Sequence, residues 1–107
     1  MVETKLQLLR RWRNVTEIVA RVARELYPEA EVYLFGGAVE GRLTVLSDID
    51  IAIVFRKPLD LEEQAEIAST IWEKLEEYGV PPYYPLHLVV LSRSEFEKLR
   101  GAKIRIS

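Results

Sequence analysis

Along residues 4–27 apolar side chains recur at steps of three and four: Leu6, Leu9, Val15, Ile18, Val19, Val22 and Leu26. That spacing places them on one broad face of an amphipathic helix. Thr4 is positioned to cap its start. Pro28 should stop it by about residue 26, because a proline pushes the residue before it out of the helical region. The period then changes. Val32-Tyr33-Leu34-Phe35 is a short apolar run closed by Gly36-Gly37, and Ile51-Ala52-Ile53-Val54-Phe55 is a second, opened by Asp48-Ile49-Asp50. These runs predict strands over 31–36 and 48–55, joined by a connection over 38–46 with room for one helical turn after the glycines.

Pro58 breaks the second strand, and Asp60 is placed to cap a helix over 61–78 that Gly79 ends. Its apolar positions, Leu61, Ala65, Ala68, Ile71, Trp72 and Leu75, keep helical spacing. Pro81-Pro82-Tyr83-Tyr84-Pro85 reads as a stiff, extended link to a third strand over Leu86–Leu91. Ser94 is placed to cap a short helix over Glu95–Leu99, ended by Gly101, and Lys103-Ile104-Arg105-Ile106 alternates like a strand with no legible partner. Strands and helices in this order predict an α+β fold: a small mixed β-sheet with helices packed on one side, forming a single domain over 1–107.

With 107 residues, the chain has room for one small core. The formal net charge of -2 does not suggest a general nucleic-acid binder, which would carry a basic face, so nucleic acid is not an expected partner. No apolar run approaches a membrane span, and Met1-Val2-Glu3-Thr4-Lys5 opens no signal peptide, so a cytoplasmic location is expected. The absence of cysteine excludes disulfides and thiolate metal sites.

The candidate chemistry sits between the first two strands. Residues two apart in a strand face the same side, so Asp48 and Asp50 are expected to project together with Ile49 turned into the core. Two like charges held side by side repel unless a cation lies between them, and an all-oxygen donor pair suits a hard ion such as Mg²⁺ or Mn²⁺. Gly36 and Gly37 have no side chains, so their backbone can approach phosphate oxygens. Taken singly, each feature has an ordinary reading: Gly-Gly is a common turn, Asp-x-Asp is frequent, and Ser47 suits a bend. Together they make a stronger signal.

Phe35-Gly36-Gly37-Ala38-Val39-Glu40-Gly41 through Ser47-Asp48-Ile49-Asp50-Ile51 resembles the signature of the nucleotidyltransferase superfamily related to DNA polymerase beta, and within it the minimal nucleotidyltransferases. Gly36, Gly41, Ser47, Asp48 and Asp50 fall in register with the family pattern, while Gly37 replaces its serine. The resemblance implies the polymerase-beta-like catalytic fold, with ATP as substrate and Mg²⁺ (or Mn²⁺) held by Asp48 and Asp50. It further implies that Gly36 and Gly37 contact the triphosphate, that Ser47 bonds a phosphate or caps the Asp48 turn, and that Arg42 is a candidate contact to the γ-phosphate. It also implies an antitoxin-like role beside a HEPN ribonuclease, with AMP passed from ATP to a tyrosine of that partner. A catalytic lobe alone leaves one side of the nucleotide open, so a HEPN-type partner or a second copy in a homo-oligomer is expected to complete the site.

One departure stands out. The family places a third carboxylate on the third strand, where this chain has His87 as the only polar residue of Pro85-Leu86-His87-Leu88-Val89-Val90-Leu91. A neutral imidazole can accept the acceptor hydroxyl's proton, which would make His87 catalytic alongside Asp48 and Asp50. It is a poorer Mg²⁺ ligand than a carboxylate and prefers softer ions. The alternative is a hydrogen-bonded strand residue in a chain of weak or absent catalysis. Such a chain would bind nucleotide, or neutralise a partner by steric occlusion. Trp12 and Trp72 are expected in packing roles, the Arg10–Arg13 cluster on a solvated face, and Tyr83 and Tyr84 over the sheet edge.

Overall fold

The computed structural model describes residues 7–8, 10–41 and 48–107. The expected caps and contacts at Thr4, Leu6, Leu9, Arg42 and Ser47 lie outside these residues. The first full helix, α1, spans Trp12–Leu26 and buries Val15, Thr16, Val19, Ala20, Val22 and Ala23. The predicted helix is interrupted: residues 7–8 are helical, a turn at residues 10–11 follows in which Arg11 N–H donates to Leu8 O at 3.1 Å, and α1 begins at Trp12. Thr16 settles its buried hydroxyl by donating to Trp12 O at 2.7 Å, as threonines inside helices do.

A four-stranded sheet follows, built from β1 (Glu31–Phe35), β2 (Ile49–Phe55), β3 (Leu86–Ser92) and β4 (Lys103–Arg105) in the order β3-β2-β1-β4. β1 runs antiparallel to β2 and to β4, while β2 and β3 are parallel. A parallel pair needs a long crossover, which α2 (Leu61–Glu77) provides. Asp60 caps α2 as expected: Glu63 N–H donates to Asp60 Oδ1 at 2.8 Å, and the Glu63 carboxylate accepts from Asp60 N–H at 3.3 Å. At the other end Gly79 takes a φ of 90°, letting Gly79 N–H reach Glu76 O and Val80 N–H reach Leu75 O, each at 3.0 Å. That pair of bonds satisfies carbonyls the helix leaves open.

Strand alternation separates two apolar faces. Val32, Leu34, Ile49, Ile51, Ile53, Phe55 and Val90 point into the main core with α1 and α2, where Val19, Val22, Ile71 and Leu75 are fully buried. Tyr33, Phe35, Ala52, Val54, Val89 and Leu91 face the other way, around Phe96 of α3 (Arg93–Glu97). The two long helices therefore cover one side, and short α3 covers part of the second.

Several local expectations are corrected. Ser92, not Ser94, caps α3, with Glu95 closing the box from the third helical position. Both serines precede an acid by three residues, and the earlier frame is the one in which Phe96 is buried against the sheet. Leu61 is 84% exposed and Ala65 is exposed as well, so the buried face of α2 begins a turn later than the spacing suggested. Tyr83 is exposed, whereas Tyr84 is in the core. Burial raises the Tyr84 phenol above its ordinary 10.0, partly offset by the Arg11 charge. The alternating tail finds its partner in β1, and Ile106 N–H extends the pairing by donating to Val32 O at 2.8 Å. Trp12 and Trp72 are half-buried against the core. Among the described residues no helix is long and apolar enough to cross a membrane.

Candidate active site

The site begins with the register of β1 on β2. Phe35 pairs with Asp50, so the residue after Phe35, Gly36, turns off the strand next to that carboxylate. Gly36 has a φ of 73° and opens a single 3₁₀ turn over Gly36–Ala38, the form taken by the helical turn expected after the glycines. A Cβ built on Gly36 would meet Asp50 Oδ2 at 2.1 Å and Asp50 Cγ at 3.0 Å. Two independent constraints thus require glycine here: a left-handed backbone, and a carboxylate oxygen in the space a side chain would fill.

Asp50 belongs to the second face of the sheet, on the same side as Ala52 and Val54 and away from α1 and α2. Its neighbour across the parallel ladder is His87. His87 Nδ1 lies 3.0 Å from Asp50 Oδ1, with the imidazole side chain 57% exposed and the carboxylate 23%. In the tautomer protonated at Nδ1, the imidazole donates to that oxygen. The carboxylate thus has Oδ1 bonded to His87 and Oδ2 in the space a Gly36 side chain would fill.

Asp48 stands one residue before β2, exposed at the mouth of the strand. The expected strand start at Asp48 moves to Ile49, whose N–H donates to Pro85 O at 2.9 Å. The structure brings Gly36, Asp50 and His87 together. It places Gly37 in the same turn and Asp48 at the same strand end, and Arg42 and Ser47 lie outside the described residues. Two further residues share the row: Phe35 beside Asp50, and Lys103 beside Phe35 across β4. Only the alternation of the tail signalled the second. Lys103 is engaged elsewhere, donating to Phe96 O at 3.2 Å with its ammonium over the Phe96 ring. A separate cleft of about 280 Å³ opens between α1 and Ile106, lined by Thr16, Glu17, Ala20, Arg21 and Arg24. It shares no residue with the Asp50 site.

Among the described residues no three His, Asp or Glu side chains gather closely enough to hold an ion by themselves. The donors present fit one divalent ion completed by ligand oxygens, a common arrangement where phosphates supply the remaining positions. They do not supply three carboxylates.

The nucleotidyltransferase domain family matches residues 15–105. MntA of Haemophilus influenzae, to which protein adenylyltransferase activity is assigned, is 40% identical over 43 residues, covering 40% of this chain and 38% of MntA. The match thus spans less than two fifths of that relative's length. A Sulfolobus solfataricus structure provisionally assigned as a nucleotidyltransferase superposes with a TM-score of 0.63 at 24% identity, over 98% of this chain and 87% of the other. A second structure with the same provisional assignment gives 0.53 at 25% identity, over 91% and 98%. From the match across α1, the whole glycine-turn and aspartate site and the sheet to β4, the chain belongs to the nucleotidyltransferase domain family, the assignment that residues 35–51 indicated.

Proposed function

We propose that this chain transfers a nucleoside monophosphate, AMP from ATP, to a protein hydroxyl, and that it does so as the antitoxin-like companion of a HEPN-type partner. The observation that carries the reading is the carboxylate of Asp50 packed on the side-chain-free turn at Gly36, in a chain of this family. The similarity to MntA supports protein as the acceptor class.

Asp48 and Asp50 are the residues that would hold Mg²⁺ or Mn²⁺. When bound, such an ion offsets the charge of the triphosphate and of the departing pyrophosphate. Gly36 and Gly37 let the backbone approach the phosphates and orient the α-phosphorus. The acceptor oxygen attacks that phosphorus, the bond to the bridging oxygen breaks, and pyrophosphate leaves. The hydroxyl proton passes to a carboxylate or to His87 at the same strand ends. The exposed second face beside His87 leaves room for the acceptor, which a partner chain or a second copy would bring.

The test is transfer of α-phosphate label from ATP to the purified partner encoded beside this chain, with Mg²⁺ or Mn²⁺. Label on the partner that disappears with Asp50→Asn supports the reading; absence of label with either ion refutes it. The replacement of a third carboxylate by His87 favours a second reading, a non-catalytic module that neutralises its partner by occlusion. In that case Asp48→Asn/Asp50→Asn would leave partner inhibition intact.

A further inference from the structure

Asp50 and His87 make a mixed oxygen–nitrogen pair, and the sheet fixes their spacing. They are register partners on adjacent parallel strands, with Nδ1 and Oδ1 3.0 Å apart and Oδ2 seated against Gly36. Two donors bound to one ion by bonds of about 2.1 Å lie about 3 Å apart at right angles and about 3.4 Å apart in the tetrahedral arrangement zinc prefers. The observed separation, a hydrogen bond when Nδ1 carries a proton, is therefore within about 0.4 Å of the spacing an ion bound to deprotonated Nδ1 and to Oδ1 requires. The exposure of His87 leaves the outward coordination positions open to phosphate oxygens and water, and exposed Asp48 lies at the same strand mouth. Donor chemistry then decides which ion. Mg²⁺ takes oxygen ligands and keeps its water reluctantly, whereas imidazole nitrogen suits zinc and the later first-row transition ions.

We propose that Asp50 and His87 form a two-donor site for a divalent first-row transition ion in preference to Mg²⁺, with His87 binding through Nδ1. The nucleotide that would complete the coordination rests on the transfer reading above, but the two protein donors do not. In this arrangement His87 holds the ion instead of taking the acceptor proton, which passes to a carboxylate or to solvent.

His87 is the only histidine in the chain, so its imidazole nitrogens give isolated signals in a long-range ¹H–¹⁵N correlation spectrum. The metal-free full chain, without nucleotide, is titrated with Zn²⁺ and separately with Mg²⁺. Calorimetry on the same samples gives affinities for the native chain, His87→Asp and Asp50→Asn. The expected result is a Zn²⁺-induced shift centred on Nδ1, no shift with Mg²⁺, and affinity at least about tenfold tighter for Zn²⁺. His87→Asp should shrink or reverse that preference, and Asp50→Asn should weaken Zn²⁺ binding by about tenfold or more. An Nδ1 signal that ignores Zn²⁺, or equal affinities for the two ions in the native chain, overturns the proposal without relying on any variant. Transfer activity separates the two readings. Label transfer with Mg²⁺ and a silent imidazole would keep the enzymatic reading and remove this site. Zn²⁺ on Nδ1 with no transfer under any ion would do the reverse.

Discussion

Gly36→Ala should damage this protein twice over, and Gly41→Ala supplies its control. Both glycines sit at positive φ, 73° and 69°. A non-glycine residue forced into the left-handed region costs roughly 1–2 kcal/mol, a cost the two substitutions share. They differ in what the new methyl meets: nothing within 4 Å at Gly41, but Asp50 Oδ2 at 2.1 Å and Asp50 Cγ at 3.0 Å at Gly36. To relieve that overlap the carboxylate must turn off its rotamer, at about 0.5–1.5 kcal/mol. Turning also weakens its contact with His87, worth less than about 1 kcal/mol at so exposed a site. Gly36→Ala is therefore expected to lose about 2–4 kcal/mol and Gly41→Ala about 1–2. Urea denaturation followed by circular dichroism measures both, provided the denaturant slope is unchanged. The His87 imidazole signals should move in Gly36→Ala and stay in place in Gly41→Ala. Equal losses from the two substitutions, with His87 unmoved in both, would refute the close approach of the carboxylate to the turn.

Two further outcomes follow from packing and titration. Leu75 is fully buried while Leu61 is 84% exposed, so Leu75→Ala should cost about 2–5 kcal/mol in denaturation and Leu61→Ala no more than about 0.5. Hydrogen bonds from the Ser92 backbone, then from its hydroxyl, hold the Glu95 carboxyl below its ordinary 4.5. A depressed carboxyl stabilises the fold above its unfolded value and loses that contribution as pH falls through the folded one. The melting-temperature gap between the native chain and Glu95→Gln should thus be full at neutral pH and close as the pH drops below 4.5. A gap that acidification leaves unchanged would contradict the capping role.

The strands and long helices could be read from period alone, because their apolar residues face a single core at regular steps. Both ends of α2 were legible for the same local reason: Asp60 and Gly79 are punctuation that works within a few residues. What failed was competition between local signals. Ser92 and Ser94 offer equivalent caps, and only the burial of Phe96 against the sheet separates them. Leu61 and Ala65 keep helical spacing but face solvent, while Gln64 between them reaches Val90 O of β3. The site divides in the same way. Gly36 and Asp50 announce themselves in sequence, as a strand end and a strand start. The contact between Asp50 and His87 spans 37 residues and depends on parallel register, which no local pattern encodes. The pairing of β4 was hidden similarly, since alternation marks a strand without naming its neighbour.

The proposed transfer requires a nucleoside triphosphate on the glycine turn with its bound ion at Asp50 and the neighbouring strand ends. The most direct measurement is an amide ¹H–¹⁵N titration of the metal-free chain. The ligand is a triphosphate analogue uncleavable at the α-phosphorus, added with a diamagnetic divalent ion. The amides of Gly36, Gly37 and Asp50 are expected to move first and together, and Asp50→Asn to abolish the response. Shifts confined to other surfaces, such as the cleft at Arg21 and Arg24, with the glycine turn unmoved at saturation, would contradict it.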